Sequence, residues 1–123
     1  MLPHHAKAAD AAVERLTSSG EPIAVYLGGS IAKGLEREDS DVDLIVIVGQ
    51  EVMEKRLISN SASFLWTDLA DWEGGYVEGR YLSREFVREA VDRGSEPTRW
   101  SFVGARKLWG SNDRTMTHLS LKL

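Results

Sequence analysis

The chain has no cysteine, only three prolines and no excess of positive charge. Without cysteine there can be no disulfide framework, and nothing ties the fold to an oxidising compartment. No apolar run approaches the roughly 20 residues that a membrane-spanning helix needs. Met1 to Asp10 also lacks the apolar core of a secretion signal, so the expectation is a cytoplasmic protein with no membrane association. Fifteen Lys and Arg against nineteen Asp and Glu leave a net charge of -4. That balance argues against dependence on nonspecific binding to long nucleic acid, and it remains compatible with a mononucleotide carried by metal ions. Aromatic residues are sparse, at 8%. The four tryptophans among them are read as core fillers rather than base-stacking platforms. With 123 residues, 42% of them hydrophobic, the chain is expected to form one domain with a real core over residues 1–123. Residues 1–5 and about 112–123 are expected to be flexible or partner-facing ends.

What is present is concentrated in two short stretches. Val25-Tyr26-Leu27 ends an apolar strand, and Gly28 and Gly29 let the backbone turn sharply and approach a ligand. Ser30 opens a short helix from Ile31 to about Leu35, whose free N–H groups favour an anion such as a phosphate. The second stretch, Ser40-Asp41-Val42-Asp43, runs into Leu44 to Val48, a continuous apolar segment rich in Ile and Val that suits a strand buried on both faces. Asp41 and Asp43 are two apart, so their side chains leave the same face of that strand. Like charges held so close call for a cation between them. Hard oxygen ligands select Mg²⁺ or Mn²⁺, and magnesium normally shares its shell with substrate phosphates. Gly28, Gly29 and Ser30 are therefore candidate phosphate contacts, and Asp41 and Asp43 candidate metal ligands. Ser40 either orients Asp41 or caps the turn before the strand. Lys33 and Arg37 lie in the mixed-charge loop between the stretches and read first as solvated surface.

These residues resemble the nucleotidyltransferases of the DNA polymerase beta type. Gly29-Ser30, Gly34 and Ser40-Asp41-Val42-Asp43-Leu44 fall on that family's pattern. The resemblance is strong over residues 22–48, weaker to about 109, and closest to small bacterial members: minimal nucleotidyltransferases and the catalytic domains of antibiotic nucleotidyltransferases. It implies an α/β (α+β) nucleotidyltransferase fold with a mixed central sheet of about four to five strands flanked by helices. It also implies a third carboxylate on a strand beside Asp-x-Asp. Glu78, in the strand-forming segment Tyr76 to Leu82, fits that slot. Asp68, Asp71 and Glu73 are rivals, and a plain Glu78–Arg80 surface pair is the bland alternative. Gly79 marks a close approach or a bulge.

The activity implied is transfer of a nucleoside monophosphate from a nucleoside triphosphate, ATP first, with release of pyrophosphate. One or two Mg²⁺ ions would be held by Asp41, Asp43 and Glu78, with Ser40 and the Gly28-Gly29-Ser30 turn on the nucleotide, and Glu78 serving as ligand or base. The acceptor would be a hydroxyl of an aminoglycoside-like small molecule or of a protein. The alternative is a non-catalytic nucleotide-binding or antitoxin module acting through a helical partner of the HEPN type. Longer relatives carry a second, helical domain, which makes such a partner an expectation here, and exposed edge strands and tryptophans make a homodimer or another protein partner a further one.

Along the rest of the chain, His4 and His5 read as an exposed N-terminal segment. Ala6 to Leu16 reads as a covering helix, Ile23 to Leu27 as the first strand, and Glu51 to Ile58 as a helix with Val52, Leu57 and Ile58 inward. Ser61 to Asp68, with Phe64, Leu65 and Trp66, reads as a strand or edge segment. Ser83 caps a helix to Val91 with Phe86, Val87, Ala90 and Val91 inward, and Gly94 ends it. A turn or helix at Ser95-Glu96-Pro97, packing by Trp100, Phe102 and Val103, a short strand from Ala105 to Trp109 and a tail from Asn112 to Leu123 complete the expectation.

Overall fold

The computed structural model describes residues 1–93 and 105–110. The expected end of the fourth helix at Gly94, the turn at 95–97, the packing of Trp100, Phe102 and Val103, and the tail from 112 lie outside those residues. The elements run α1 (Pro3–Thr17), β1 (Ala24–Gly28), α2 (Gly29–Ala32), β2 (Val42–Val48), α3 (Gln50–Ile58), β3 (Ser63–Trp66), β4 (Val77–Ser83), α4 (Arg84–Arg93) and β5 (Arg106–Gly110). The strands form one mixed five-stranded sheet in the order β3-β4-β2-β1-β5. Among the described strands only β2 and β4 pair in parallel, and the other three pairings are antiparallel.

The most apolar strands, β1 and β2, hold the centre, where both faces must be covered. Successive side chains point to opposite faces, and each face has its own core. On one, Val25, Leu27, Val42, Leu44 and Val46 pack against Ala8, Ala9, Ala12 and Leu16 of α1, together with Met53 of α3. The alanines let α1 approach the sheet closely. On the other face a smaller core of Tyr26, Ile45 and Ile47 packs against Val87 of α4. That smaller cover leaves the carboxylate end of the face open.

Three expectations are corrected. His4 and His5 are not an exposed leader: α1 begins at Pro3, a residue suited to a helix's first position, and His5 is 0% exposed. Leu57 and Ile58 face water, at 60% and 88% exposure, while Met53 is buried. The reason is Arg56, which takes the inward place three residues after Met53. Its guanidinium lies 3.9 Å from the Tyr81 ring centroid and 2.8 Å from Glu21 Oε1. The stem thus covers apolar surface while the head stays paired. Phe86 is likewise half exposed, and Val87 takes the buried position in α4. Ser83 does cap that helix, its Oγ accepting the Phe86 N–H at 3.0 Å, as an N-cap hydroxyl should.

Candidate active site

β2 starts two residues earlier than its apolar run, so Asp43 lies within the strand and is held by ladder pairing on both sides. Its partner in β1 is Gly28, and its partner in the parallel strand β4 is Glu78. The next site-facing pair is Ile45 with Arg80, and antiparallel β3 places Leu65 opposite Glu78 and Ser63 opposite Arg80. Asp43, Glu78, Ile45, Arg80 and Ser63 line an open cavity of about 420 Å³ together with Gly28, Gly29 and Lys33. One wall is thus a glycine turn and a lysine, the floor two carboxylates, and the far wall an arginine with a serine from the edge strand.

Gly29 is required here twice over. Its φ is +66°, and a Cβ there would run into the Asp43 carboxylate. Such a left-handed conformation favours glycine. The turn therefore seats directly against the acid. Helix α2 is a single turn, shorter than expected, and Gly34 leaves it at φ +73°.

Burial holds the Asp43 carboxyl above its ordinary range, and the charges of Glu78 and Asp41 beside it push the same way; Arg80 and Lys33 act in the opposite sense. Desolvation and like charge both disfavour the ionised form of an acid. Two neighbouring carboxylates thus raise the cost of ionising Asp43, and one of them, Glu78, shares its cavity. Among the described residues no group of three or more His, Cys, Asp or Glu side chains is placed to hold a metal ion. The two carboxylates that do line the cavity, Asp43 and Glu78, are oxygen donors of the kind a hard divalent cation takes.

Asp41 sits just before β2 and does not line the cavity. Its Oδ1 accepts the Tyr76 backbone N–H at 3.2 Å, and a hydrogen bond with the Tyr76 phenol raises that hydroxyl above its usual range. Ser40 also stands off the cavity, its Oγ accepting the Arg37 N–H at 2.8 Å. That is the turn-capping role. Ser30 is in α2 and is not among the cavity residues, unlike Gly28 and Gly29.

The rival acids are engaged elsewhere. Asp68 pairs with Arg15 at 2.6 Å, and Asp71 lies 3.5 Å from Lys7. Glu73 is an exposed loop residue. Among the described residues no ion pair joins Glu78 to Arg80, and β4 lies between β3 and β2 rather than at the edge of the sheet. The close approach at Gly79 is real, but it belongs to the opposite face, where the Phe64 ring fills the space a side chain would occupy. Tyr76 and Ser63 were missed in the sequence. Tyr76 had a faint signal as the residue opening the Glu78 strand, whereas Ser63 became visible only through β3–β4 register.

The nucleotidyltransferase domain model matches residues 9–95. No curated protein matches the chain. Among solved structures, one described as "Crystal structure of the toxin-antitoxin with AMP-PNP" is similar at 16% identity and a TM-score of 0.39, over 83% of this chain and 71% of that one. The family match runs from within α1 to past α4 and takes in both the glycine turn and the acidic strand opening, and on that extent the chain belongs to the nucleotidyltransferase domain family.

Proposed function

We propose that this protein transfers a nucleoside monophosphate from a nucleoside triphosphate, with ATP the first candidate, to a hydroxyl acceptor. The observation that carries the reading is the pairing of Asp43 with Glu78 across β2 and β4, opposite a glycine turn and Lys33 in one cavity. The phosphates lie along the Gly28–Gly29 turn and Ser30, where backbone N–H groups can donate to them. Asp43 and Asp41, with Glu78, are the residues to hold Mg²⁺ or Mn²⁺. When bound, such an ion polarises the phosphoryl oxygens and offsets the charge of the triphosphate.

The acceptor oxygen forms a bond to the α phosphorus as the bond from that phosphorus to the bridging oxygen breaks, and pyrophosphate leaves with the electron pair. Glu78 is exposed and lines the cavity. It either takes the hydroxyl proton itself or completes the ligand set and leaves that proton to solvent water. Tyr76 fixes one oxygen of Asp41 and so limits how that carboxylate can turn.

The test is a titration of the purified protein with ATP and with GTP, with and without Mg²⁺, beside the Asp43→Asn variant, followed by transfer assays from α-labelled nucleotide. Metal-dependent binding that the variant loses supports the site. Label appearing on a hydroxyl compound or protein supports transfer. Metal-dependent binding without any transfer favours a non-catalytic module working through a partner, and a folded wild type that binds neither nucleotide overturns the reading.

A further inference from the structure

The two histidines at the start of α1 stand at a junction that the proposed chemistry does not use. Among the described residues, every buried side-chain nitrogen or oxygen without a hydrogen-bond partner belongs to His5, Glu36 or Trp72. Buried polar groups are nearly always satisfied, so a cluster of exceptions asks for an explanation. The rings of His4 and His5 lie 4.0 Å apart and tilted by 48°, and Trp72 stands edge-on to both, at 5.0 and 5.2 Å. His4 Nε2 lies 2.7 Å from the Glu38 carbonyl. A carbonyl can only accept, so that nitrogen carries the proton.

Two loops meet on these rings. The first, residues 36–40, is closed by Ser40, with its N–H donating to the Arg37 carbonyl and its Oγ accepting the Arg37 N–H, and it delivers the chain to Asp41. The second passes from Trp72 through Gly75, where the indole leaves no room for a Cβ, and delivers the chain to Tyr76. Tyr76 then grips Asp41 through its N–H and receives the Val42 N–H on its carbonyl. Both loops thus lean on one aromatic cluster and converge on one carboxylate.

We propose that His4 and His5, wedged with Trp72 beneath the 36–40 and 72–76 loops, are positioning residues that set the place of Asp41 through Ser40 and Tyr76. Burial and the neighbouring His4 keep His5 below the ordinary histidine range, while the Ser40 and Glu38 carbonyls and the Glu36 carboxylate favour its charged form. Desolvation is the stronger influence, as it is for a buried imidazole in general. The Met1 ammonium faces Glu36 at 3.7 Å. Neutral His5 is therefore the state in which the wedge is closed, and charging it in acid sets a buried cation against the loop. The effect on the loops stands by itself; its consequence for nucleotide binding rests on the reading above.

The test is backbone amide hydrogen exchange on the full chain, comparing wild type with His4→Ala, His4→Gln and His5→Phe. The Arg37, Ser40 and Tyr76 amides should exchange about two- to tenfold faster in His4→Ala relative to the β2 ladder, the factor that one lost hydrogen bond gives a local opening. His4→Gln keeps an N–H for the Glu38 carbonyl and should restore protection. In wild type, the Tyr76 amide signal should shift with the same pH midpoint as the His5 ring. Unchanged exchange at Tyr76 in folded His4→Ala, or a Tyr76 signal that ignores the His5 titration, overturns the proposal even if His5→Phe fails to fold. None of these measurements uses nucleotide, so a wild type that binds no Mg·ATP would sink the function and leave the wedge tested.

Discussion

The two faces of the β2–β4 pair are built from alternate residues of the same strands, and they have opposite characters. On the α1 face Leu44 and Val46 lie beside Gly79 and Tyr81 in a closed apolar core. On the other face Asp43 and Glu78 stand side by side at an open cavity. One step along a strand therefore separates a residue that holds the fold together from one that burdens it. The core face supplies the rigidity that allows the carboxylate face to remain crowded, because a strand fixed by ladders on both sides cannot turn Asp43 away from Glu78.

The sharpest contrast comes from substitutions within β2. Val46→Ala, at a position 0% exposed in the α1-face core, is expected to lower unfolding free energy by about 2 kcal/mol, with nucleotide affinity of the folded fraction unchanged. Denaturant melts and binding titrations read both quantities, and equal effects on both would break the comparison. Asp43→Asn should do the reverse. Transfer should fall by roughly a hundredfold or more, while the melting temperature of the metal-free protein holds or rises, since the change removes a charge that burial and like neighbours disfavour.

Gly29→Ala probes the seam between turn and acid. The left-handed backbone costs a side chain about 1–2 kcal/mol, and the added Cβ displaces the Asp43 carboxylate, so nucleotide binding should weaken together with stability. Normal binding in a destabilised variant would place the phosphates away from this turn.

A gentler perturbation is pH. The Asp43 carboxyl is raised in the folded state above its ordinary 3.8, so the folded protein binds that proton more tightly than the unfolded chain. Its contribution to stability is favourable below that value and is lost as pH rises through the raised one. Metal-free protein should show this loss in its melting curves, Mg²⁺ should oppose it at neutral pH, and Asp43→Asn should remove it. The smallest effect is expected at Asp68. Its carboxyl is held low by Arg15, and Asp68→Asn should leave transfer unchanged. A large loss there would reopen the choice of third carboxylate.

Much of this could be read from the chain. The apolar run from Leu44 to Val48 announced a central strand, and the strand formers on both sides of Glu78 announced another. The core stripe of α1 was partly legible: His5 stands four residues before Ala9 and extends the line through Ala12 and Leu16. By sequence alone it belongs to an exposed end, since two adjacent histidines cannot by themselves complete a metal site. The outward turn of Leu57 and Ile58 could not be seen, because local periodicity does not say that Arg56 finds Glu21 and Tyr81 to lie on. The separate fates of Asp41 and Asp43 were equally hidden. A period of two puts both on one face of a strand, but the strand begins at Val42, and Asp41 answers to Tyr76 instead.

By itself the sequence determined which segments must be buried, where the backbone needs glycine and which acids lie two apart, because those follow from side-chain chemistry and the local periods of helix and strand. Only the tertiary structure decided that Glu78 is the acid facing Asp43, that Arg80 and Ser63 form the far wall, and that two histidines sit beneath the loops leading to Asp41. Those facts depend on the order and register of strands distant in the chain, and on which helix face meets which loop. Contacts of that kind are set by the packing of the whole domain, which no short stretch encodes.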